Sequence, residues 1–133
     1  MIFLDSWIWI EFYSESEKWK KCEALILSKE RKCISTIILT EAKYKLTKKL
    51  GLEIAEKIMH YIEENENIEI IPVTKEIAKL AADLRLKYYK RSDKDLSYAD
   101  VINLATAILS NCKALYSGDS DFKDVEEIKT VIV

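Results

Sequence analysis

Any chemistry in this chain has to rest on carboxylates, because the other common catalytic residue types are nearly absent. The 133 residues contain one histidine, His60, and two glycines, Gly51 and Gly118, that stand far apart. A single histidine excludes most histidine-based catalysis and nearly every histidine-rich metal site. The wide glycine spacing excludes the phosphate-binding loops of nucleotide-binding proteins. The acidic residues are therefore the candidates for chemistry.

Most acids lie beside lysines on predicted helix surfaces, but a few stand at predicted strand ends or helix beginnings. Asp5 closes the first apolar run, and Glu41 lies near the start of the helix that follows the second strand. Asp100 lies in the first turn of the most apolar helix, while Asp119 and Asp121 follow a strand that ends at Ser117. Since parallel strands end at one edge of a sheet, where ligands bind, we expect that edge to gather these acids.

Clustered carboxylates repel one another, which raises some of their pKa values. A divalent cation that prefers oxygen ligands removes that penalty, and Mg²⁺ or Mn²⁺ suits a site made only of carboxylates. Such a site lowers the pKa of a bound water and neutralises a phosphoryl group. The pattern, on the assumed fold, predicts metal-assisted phosphodiester hydrolysis.

Each acid also has a simpler explanation that the sequence leaves open. Asp100 completes a capping box with Ser97, and Glu41 stands four residues before Lys45 as an ion-pair partner on a solvated helix. Asp119 and Asp121 flank a glycine-containing turn, where aspartate is common. Asp5 is the hardest to explain in this way, because a charge that closes a buried strand needs a partner or a ligand.

The elements that must position these acids are short apolar strands alternating with amphipathic helices. Strands are predicted at residues 1–4, 33–37, 68–73, 113–117 and 128–133. Six helices are predicted: one that starts with Ser6 as N-cap, three over 16–29, 39–50 and 52–64, one from its cap Thr74 to 88, and one from Ser97 to 109. The alternation predicts a single α/β domain over residues 1–133, a three-layer α/β/α sandwich with a mainly parallel sheet of about four to five strands.

The bulk composition gives no sign of a nucleic-acid or membrane protein. The net charge is −2, no apolar run is long enough to span a bilayer, and nothing resembles a signal peptide. Three widely spaced cysteines, Cys22, Cys33 and Cys112, indicate buried reduced thiols, so we expect the protein to be cytoplasmic.

Local charge is more informative than net charge. Two basic stretches are candidates for a rim that binds phosphates: Lys43, Lys45, Lys48 and Lys49, and then Arg85, Lys87, Lys90, Arg91 and Lys94 with Tyr88 and Tyr89 interleaved. A solvated lysine face is the simpler alternative.

Four segments, taken in order, resemble the PIN domain family, in particular the VapC-type toxins of toxin–antitoxin systems. They are Ile-Phe-Leu-Asp-Ser at 2–6, Ile-Ser-Thr at 34–36 leading to Leu-Thr-Glu at 39–41, Leu-Ser-Tyr-Ala-Asp-Val-Ile at 96–102 with Ala-Thr-Ala at 105–107, and Ser-Gly-Asp-Ser-Asp-Phe at 117–122. The resemblance covers essentially the whole chain.

The resemblance implies roles for particular residues. Asp5, Glu41, Asp100 and Asp119 fall on the family's acidic quartet, which binds Mg²⁺ or Mn²⁺, and Asp121 matches an additional acid beside it. Ser6 and Ser117 occupy positions bordering the site where threonine is common. Asn103 stands one turn after Asp100, at a position expected to be apolar.

The resemblance also implies an activity and partners. It implies a metal-dependent endoribonuclease that forms homodimers and is inhibited by a cognate antitoxin. Trp7, Trp9, Phe12 and Tyr13, or the helix pair around 46–52, are candidate protein contacts, with burial in the core as the alternative. Two other functions stay open: a housekeeping PIN nuclease acting on ribosomal or transfer RNA precursors, and a non-catalytic module that binds RNA or protein.

Overall fold

Five parallel strands form one sheet at the centre of the molecule, in the order β3-β2-β1-β4-β5. The computed structural model describes residues 1–89 and 95–133. The strands are β1 Ile2–Leu4, β2 Lys32–Ser35, β3 Ile68–Ile71, β4 Ala114–Ser117 and β5 Thr130–Ile132. β1 lies in the middle, pairing with β2 on one side and β4 on the other.

Helices cover both faces of this sheet. They are α1 Ser6–Tyr13, α2 Trp19–Ile26, α3 Thr36–Leu50, α4 Leu52–Glu64, α5 Lys75–Tyr89 and α6 Tyr98–Leu109. Along the chain, β2 and β3 are added on one side of β1, and β4 and β5 are then added on the other side. Because crossovers between parallel strands are right-handed, α1–α4 lie on one face of the sheet and α5–α6 on the opposite face. The predicted three-layer α/β/α sandwich is therefore confirmed. None of the helices in the described ranges is both long and apolar enough to cross a bilayer.

The core is apolar where strands and helices meet, as buried parallel sheets require. Phe3, Leu4 and Ile34 are fully buried in the central strands, and Ala105 and Ala107 let α6 approach them closely. Cys22, Cys33 and Cys112 are buried free thiols, as the sequence predicts.

Several predicted boundaries at the carboxyl ends of the strands are wrong. The strand predicted at 33–37 ends at Ser35, and α3 begins at Thr36 rather than at 39. The β-branched residues that follow Ser35 suggested a strand, but tertiary packing places them in the first turn of a helix. Asp5, not Ser6, holds the N-cap position of α1. β3 stops at Ile71 because Pro72 cannot donate a ladder hydrogen bond.

Candidate active site

Asp5 lies at the carboxyl end of the central strand, between β1 and β4. Its backbone N–H donates to the carbonyl of Tyr116 at 3.0 Å, which extends the pairing of the two strands by one residue. The side chain is only 4% exposed. The fold therefore buries a carboxyl group at the point where the sheet and the start of α1 meet.

A cleft of about 420 Å³ opens above this carboxylate. Four of the predicted acids line it, each from a different element: Asp5, Glu41, Asp100 and Asp119. Asp121 does not line the cleft; its backbone N–H donates to Asp119 Oδ1 at 2.9 Å, inside the turn that follows β4. The structure thus brings the quartet to one place and puts the additional acid beside it.

Two predicted hydroxyls border the acids. Ser117 Oγ donates to Asp5 Oδ2 at 2.8 Å and accepts the backbone N–H of Asp119 at 3.0 Å, so it joins two of the acids. Ser6 lines the cleft beside Glu41, and its hydroxyl partly offsets the rise in the pKa of that carboxyl. Both serines are buried, as expected for groups that hold carboxylates in place.

Asp100 serves as a helix cap and as a wall of the cleft. Its Oδ2 accepts the backbone N–H of Ser97 at 2.9 Å, and Ser97 Oγ accepts the backbone N–H of Asp100 at 3.1 Å, which completes a capping box. The same carboxylate lines the cleft. Asp100 therefore forms the predicted helix cap and also lies in the cleft with the other acids.

The pKa values of three of these carboxyls are raised. Burial, with the charges of Asp100 and Glu41, raises the pKa of Asp5 to about 7, although the Ser117 hydroxyl opposes the change. Burial and the charge of Asp100 raise the pKa of Glu41. Burial, followed by the charges of Asp119 and Asp121, raises the pKa of Asp100 above its usual range. Each of these carboxyls is thus destabilised as an anion, which is what a cation would relieve.

The donor set fits a hard divalent cation, since it consists of carboxylate oxygens. Within residues 1–89 and 95–133, no three Asp, Glu, His or Cys side chains are already arranged to hold a metal ion. The chemistry of the donor set fits Mg²⁺ or Mn²⁺.

Residues 2–128 match the model of the PIN domain family. The chain belongs to this family. Its fold is similar to that of Mycobacterium tuberculosis VapC20, described as a sarcin-ricin loop cleaving toxin, with a TM-score of 0.79, 19% identity, and coverage of 97% of this chain and 99% of that one. No curated protein matches the chain significantly.

Two other solved structures show the same fold. A toxin–antitoxin complex from Klebsiella pneumoniae matches with a TM-score of 0.74 and 23% identity, over 98% of this chain and 96% of that one. VapBC2 from Rickettsia felis, bound to a DNA fragment from its promoter, matches with a TM-score of 0.76 and 18% identity, over 100% and 99% of the two chains. At these identities the likeness establishes the fold.

Two lysines of the first basic stretch line the acidic cleft of this PIN domain: Lys45 and Lys49. The other two do not. Lys43 lines a separate cavity with Glu56 and Glu63, and the Lys48 ammonium lies 5.3 Å from the ring centroid of Tyr44. The first basic stretch thus contributes two side chains, one helical turn apart, to the site.

The second basic stretch does not line the acidic cleft in the part of the chain that the structure describes. Arg85 stacks between Tyr89 and Tyr98, with its guanidinium 4.8 and 4.3 Å from the two ring centroids. Lys87 pairs with Glu126 and Glu127. The predicted rim residues Lys90, Arg91 and Lys94 lie outside the described residues.

Sequence reasoning missed three cleft residues. Trp7, Ile10 and Glu11 all line the cleft. Trp7 packs against Gly118, where a Cβ atom would stand only 2.1 Å from the indole. Gly118 thus leaves room for Trp7 to form an apolar wall of the cleft. In the sequence, the only sign of this contact is a glycine directly before Asp119. Glu11 accepts the backbone N–H of Lys18 at 2.8 Å through Oε2.

Proposed function

We propose that this PIN domain is a metal-dependent endoribonuclease that hydrolyses RNA phosphodiester bonds, and that it is the toxin of a VapBC-type toxin–antitoxin pair. The observation that carries the proposal is the convergence of Asp5, Glu41, Asp100 and Asp119 on one cleft, from four elements of the chain. A non-catalytic module that only bound RNA would have no chemical reason to gather four acids where RNA phosphates bind. The proposal treats residues 1–133 as one nuclease domain.

The four carboxylates hold Mg²⁺ or Mn²⁺ in this proposal, with Asp121 as a further acid beside them. A bound ion of this kind would lower the pKa of water and neutralise charge on the scissile phosphate. Ser117 donates a hydrogen bond to one oxygen of Asp5 and orients that carboxylate, and Ser6 lies beside Glu41 in the cleft. Lys45 and Lys49 line the same cleft and supply positive charge for the phosphates that flank the cleaved bond.

The proposed partners are an RNA substrate, a cognate antitoxin and a second copy of the chain. The described relatives include a toxin–antitoxin complex and a VapBC2 assembly, which supports an antitoxin here. Trp9 is fully buried in the core and is no longer a candidate contact. Phe12 and Tyr13 keep that candidacy, because they line an apolar groove with Ile54 and Tyr61. The proposal places the protein in the cytoplasm with its RNA.

The alternatives are a housekeeping nuclease that processes ribosomal or transfer RNA, and a non-catalytic binding module. A small antitoxin gene beside this one would separate the toxin from the housekeeping enzyme. The buried Asp5, with the pKa values of Glu41 and Asp100 also raised, disfavours the binding module, since this arrangement is costly to keep without a cation to bind.

Cleavage of a panel of labelled RNAs in Mg²⁺, Mn²⁺ or EDTA tests the proposal. Asp5→Asn and Asp100→Asn keep the shape of the carboxyl group and remove its charge. Asp83→Asn is the matched control, because Asp83 is an exposed acid on α5, outside the cleft. We expect EDTA to abolish cleavage by wild type, and both site variants to lose on the order of a thousand-fold in rate while the control keeps its rate.

Two results would contradict the proposal. Cleavage that survives in both folded site variants would assign the activity to another centre or a contaminant. Folded wild type that neither cleaves RNA nor binds Mn²⁺ would favour the non-catalytic module.

A further inference from the structure

Asn103 is fully buried in α6, yet its amide faces the acids rather than the apolar core. Its Nδ2 lies 3.4 Å from Asp5 Oδ1 and 3.5 Å from Glu41 Oε1. Both distances are at the long end for a hydrogen bond, so the amide stands between the two carboxylates rather than belonging to either. A single neutral side chain thus bridges two of the four acids.

Ser35 fixes which end of the amide faces the acids. Ser35 Oγ, at the carboxyl end of β2, donates to Asn103 Oδ1 at 2.5 Å, and both residues are fully buried. The amide oxygen is therefore engaged, and the two N–H bonds of Nδ2 point towards Asp5 and Glu41. Without the serine, the amide would be free to turn its oxygen towards the carboxylates, where it would add repulsion.

A neutral donor suits this position better than a cation would. A lysine or arginine between the acids would neutralise them and compete with a metal ion for their charge. An amide orders both carboxylates and leaves their charge available. Asp5 is held from two sides, by Asn103 at Oδ1 and by Ser117 at Oδ2, so its plane is fixed before any ligand arrives.

We infer that Asn103, anchored by Ser35, is a positioning residue that aligns Asp5 and Glu41 for a divalent cation. The inference rests on the proposed function for the cation itself. Groups that hold metal ligands in place commonly change metal affinity by about ten- to a hundred-fold when they are removed.

The decisive variant is Asn103→Leu, which keeps the side-chain shape and removes both N–H donors. Thr106→Val is the matched control. Thr106 is a buried polar residue one turn further along α6, but its hydroxyl donates to the carbonyl of Ile102 in its own helix. Both substitutions replace a buried polar group by an apolar isostere, and only the first touches the acids.

Mn²⁺ binding, followed by electron paramagnetic resonance of the free ion, gives the first readout. We expect Asn103→Leu to weaken binding about ten-fold, Ser35→Ala about three-fold, and Thr106→Val not at all. Adding Ser35→Ala to Asn103→Leu should cause no further loss, because the serine acts through the amide. Equal affinities in wild type and Asn103→Leu, or additive losses in the double variant, would overturn the inference. If Asn103→Leu does not fold, the Mn²⁺ affinity of Ser35→Ala alone tests the inference: the expected three-fold loss supports it, and an affinity equal to that of wild type overturns it.

Carboxyl ¹³C resonances of the metal-free protein give the second readout. Asn103→Leu should move the resonances of Asp5 and Glu41 together and leave that of Asp119 in place. If wild type bound no Mn²⁺ but these two resonances still moved, the metal-dependent function would fail and the positioning role would stand. If wild type bound Mn²⁺ and neither resonance moved, the function would stand and the positioning role would fail.

Discussion

The amino ends and the carboxyl ends of the strands, here called the amino edge and the carboxyl edge of the sheet, differ in how their charged groups are paired. At the amino edge, Glu30 lies against Lys113 and 4.0 Å from the N-terminal amine, and Arg31 lies 3.5 Å from Glu69. Lys32 is 1% exposed, and its ammonium donates to the carbonyl of Ser28. Charge at this edge is therefore matched by groups within the chain.

At the carboxyl edge, the acids have no such partners. Among the described residues, Asp5, Glu41, Asp100 and Asp119 form no ion pair with a lysine, arginine or histidine. Their hydrogen-bond donors are the Ser117 hydroxyl, backbone N–H groups and the Asn103 amide. The comparison teaches that the acids of the carboxyl edge lack ion-pair partners, which suits an external cation, whereas the charges of the amino edge are paired within the fold.

The largest expected effect is on the stability of the metal-free protein. Burial raises the pKa of Asp5 from 3.8 to about 7 in the folded state. Below about pH 4 both states carry the proton; as the pH rises towards 7 only the unfolded state ionises, so stability falls across this window. The difference corresponds to at most about 4 kcal/mol at pH 8. Asp5→Asn should recover much of it, measured by urea unfolding in EDTA.

The pH profile of the same variant is the internal check. Asp5→Asn should flatten the fall in stability between pH 4 and 7, and Asp83→Asn, at an exposed position, should leave it unchanged. A smaller fall should persist in Asp5→Asn, because the pKa values of Glu41 and Asp100 are also raised. Equal profiles for wild type and Asp5→Asn would show that Asp5 carries no buried charge penalty.

The second effect concerns the two glycines, only one of which belongs to the carboxyl edge. At Gly118 a Cβ atom would stand 2.1–2.5 Å from three indole atoms of Trp7, so Gly118→Ala should displace this wall of the cleft and cost about 1–3 kcal/mol. At Gly51 the Cβ would meet nothing within 4 Å, but φ is +90°. With ψ at 159°, this conformation is essentially restricted to glycine, so Gly51→Ala should cost about 1–3 kcal/mol through backbone strain.

Activity separates these two variants. Gly118→Ala should lower RNA cleavage in proportion to the disturbance of Trp7. The chain has three tryptophans, so this disturbance is measured as the change in tryptophan fluorescence of Gly118→Ala relative to Gly51→Ala. Gly51→Ala should cleave at the wild-type rate once folded. Equal activities in both variants would mean that Trp7 does not shape the site.

The third effect separates the lysines that line the cleft from their neighbours on α3. The double variant Lys45→Ala/Lys49→Ala should weaken RNA binding about ten-fold and lower the salt slope of binding by about 1.4, since each phosphate contact to a single strand contributes about 0.7. Lys43→Ala/Lys48→Ala removes the same charge outside the cleft and should change both quantities less. Binding of labelled RNA in EDTA at several salt concentrations measures the two slopes. Identical salt slopes for the two double variants would show that the cleft lysines act on RNA only as general surface charge.

The smallest effect is expected at the amino edge. Glu30→Gln breaks an exposed ion-pair cluster, and such pairs contribute little. The melting temperature should fall slightly in low salt and not at all in high salt, while RNA cleavage and Mn²⁺ binding stay unchanged. Loss of cleavage in a folded Glu30→Gln variant would break the distinction between the two edges.

Much of the fold and the quartet could be predicted from the sequence, because strand–helix alternation and acids at strand ends are local patterns. The start of α3 could not, since the β-branched residues after Ser35 favour a strand locally. The role of Asn103 could not be predicted either, because it depends on which face of α6 packs against β2 in the folded chain. Asp121 matched an additional acid, but its place beside the cleft is set by the turn after β4.

The most direct test of the central claim is anomalous diffraction from crystals of the protein soaked in Mn²⁺. The account predicts a peak in the acidic cleft, on the order of 2 Å from oxygens of at least two of Asp5, Glu41, Asp100 and Asp119, and no peak there in Asp5→Asn. A structure at saturating Mn²⁺ with no ion in this cleft, or with the ion bound elsewhere, would contradict it.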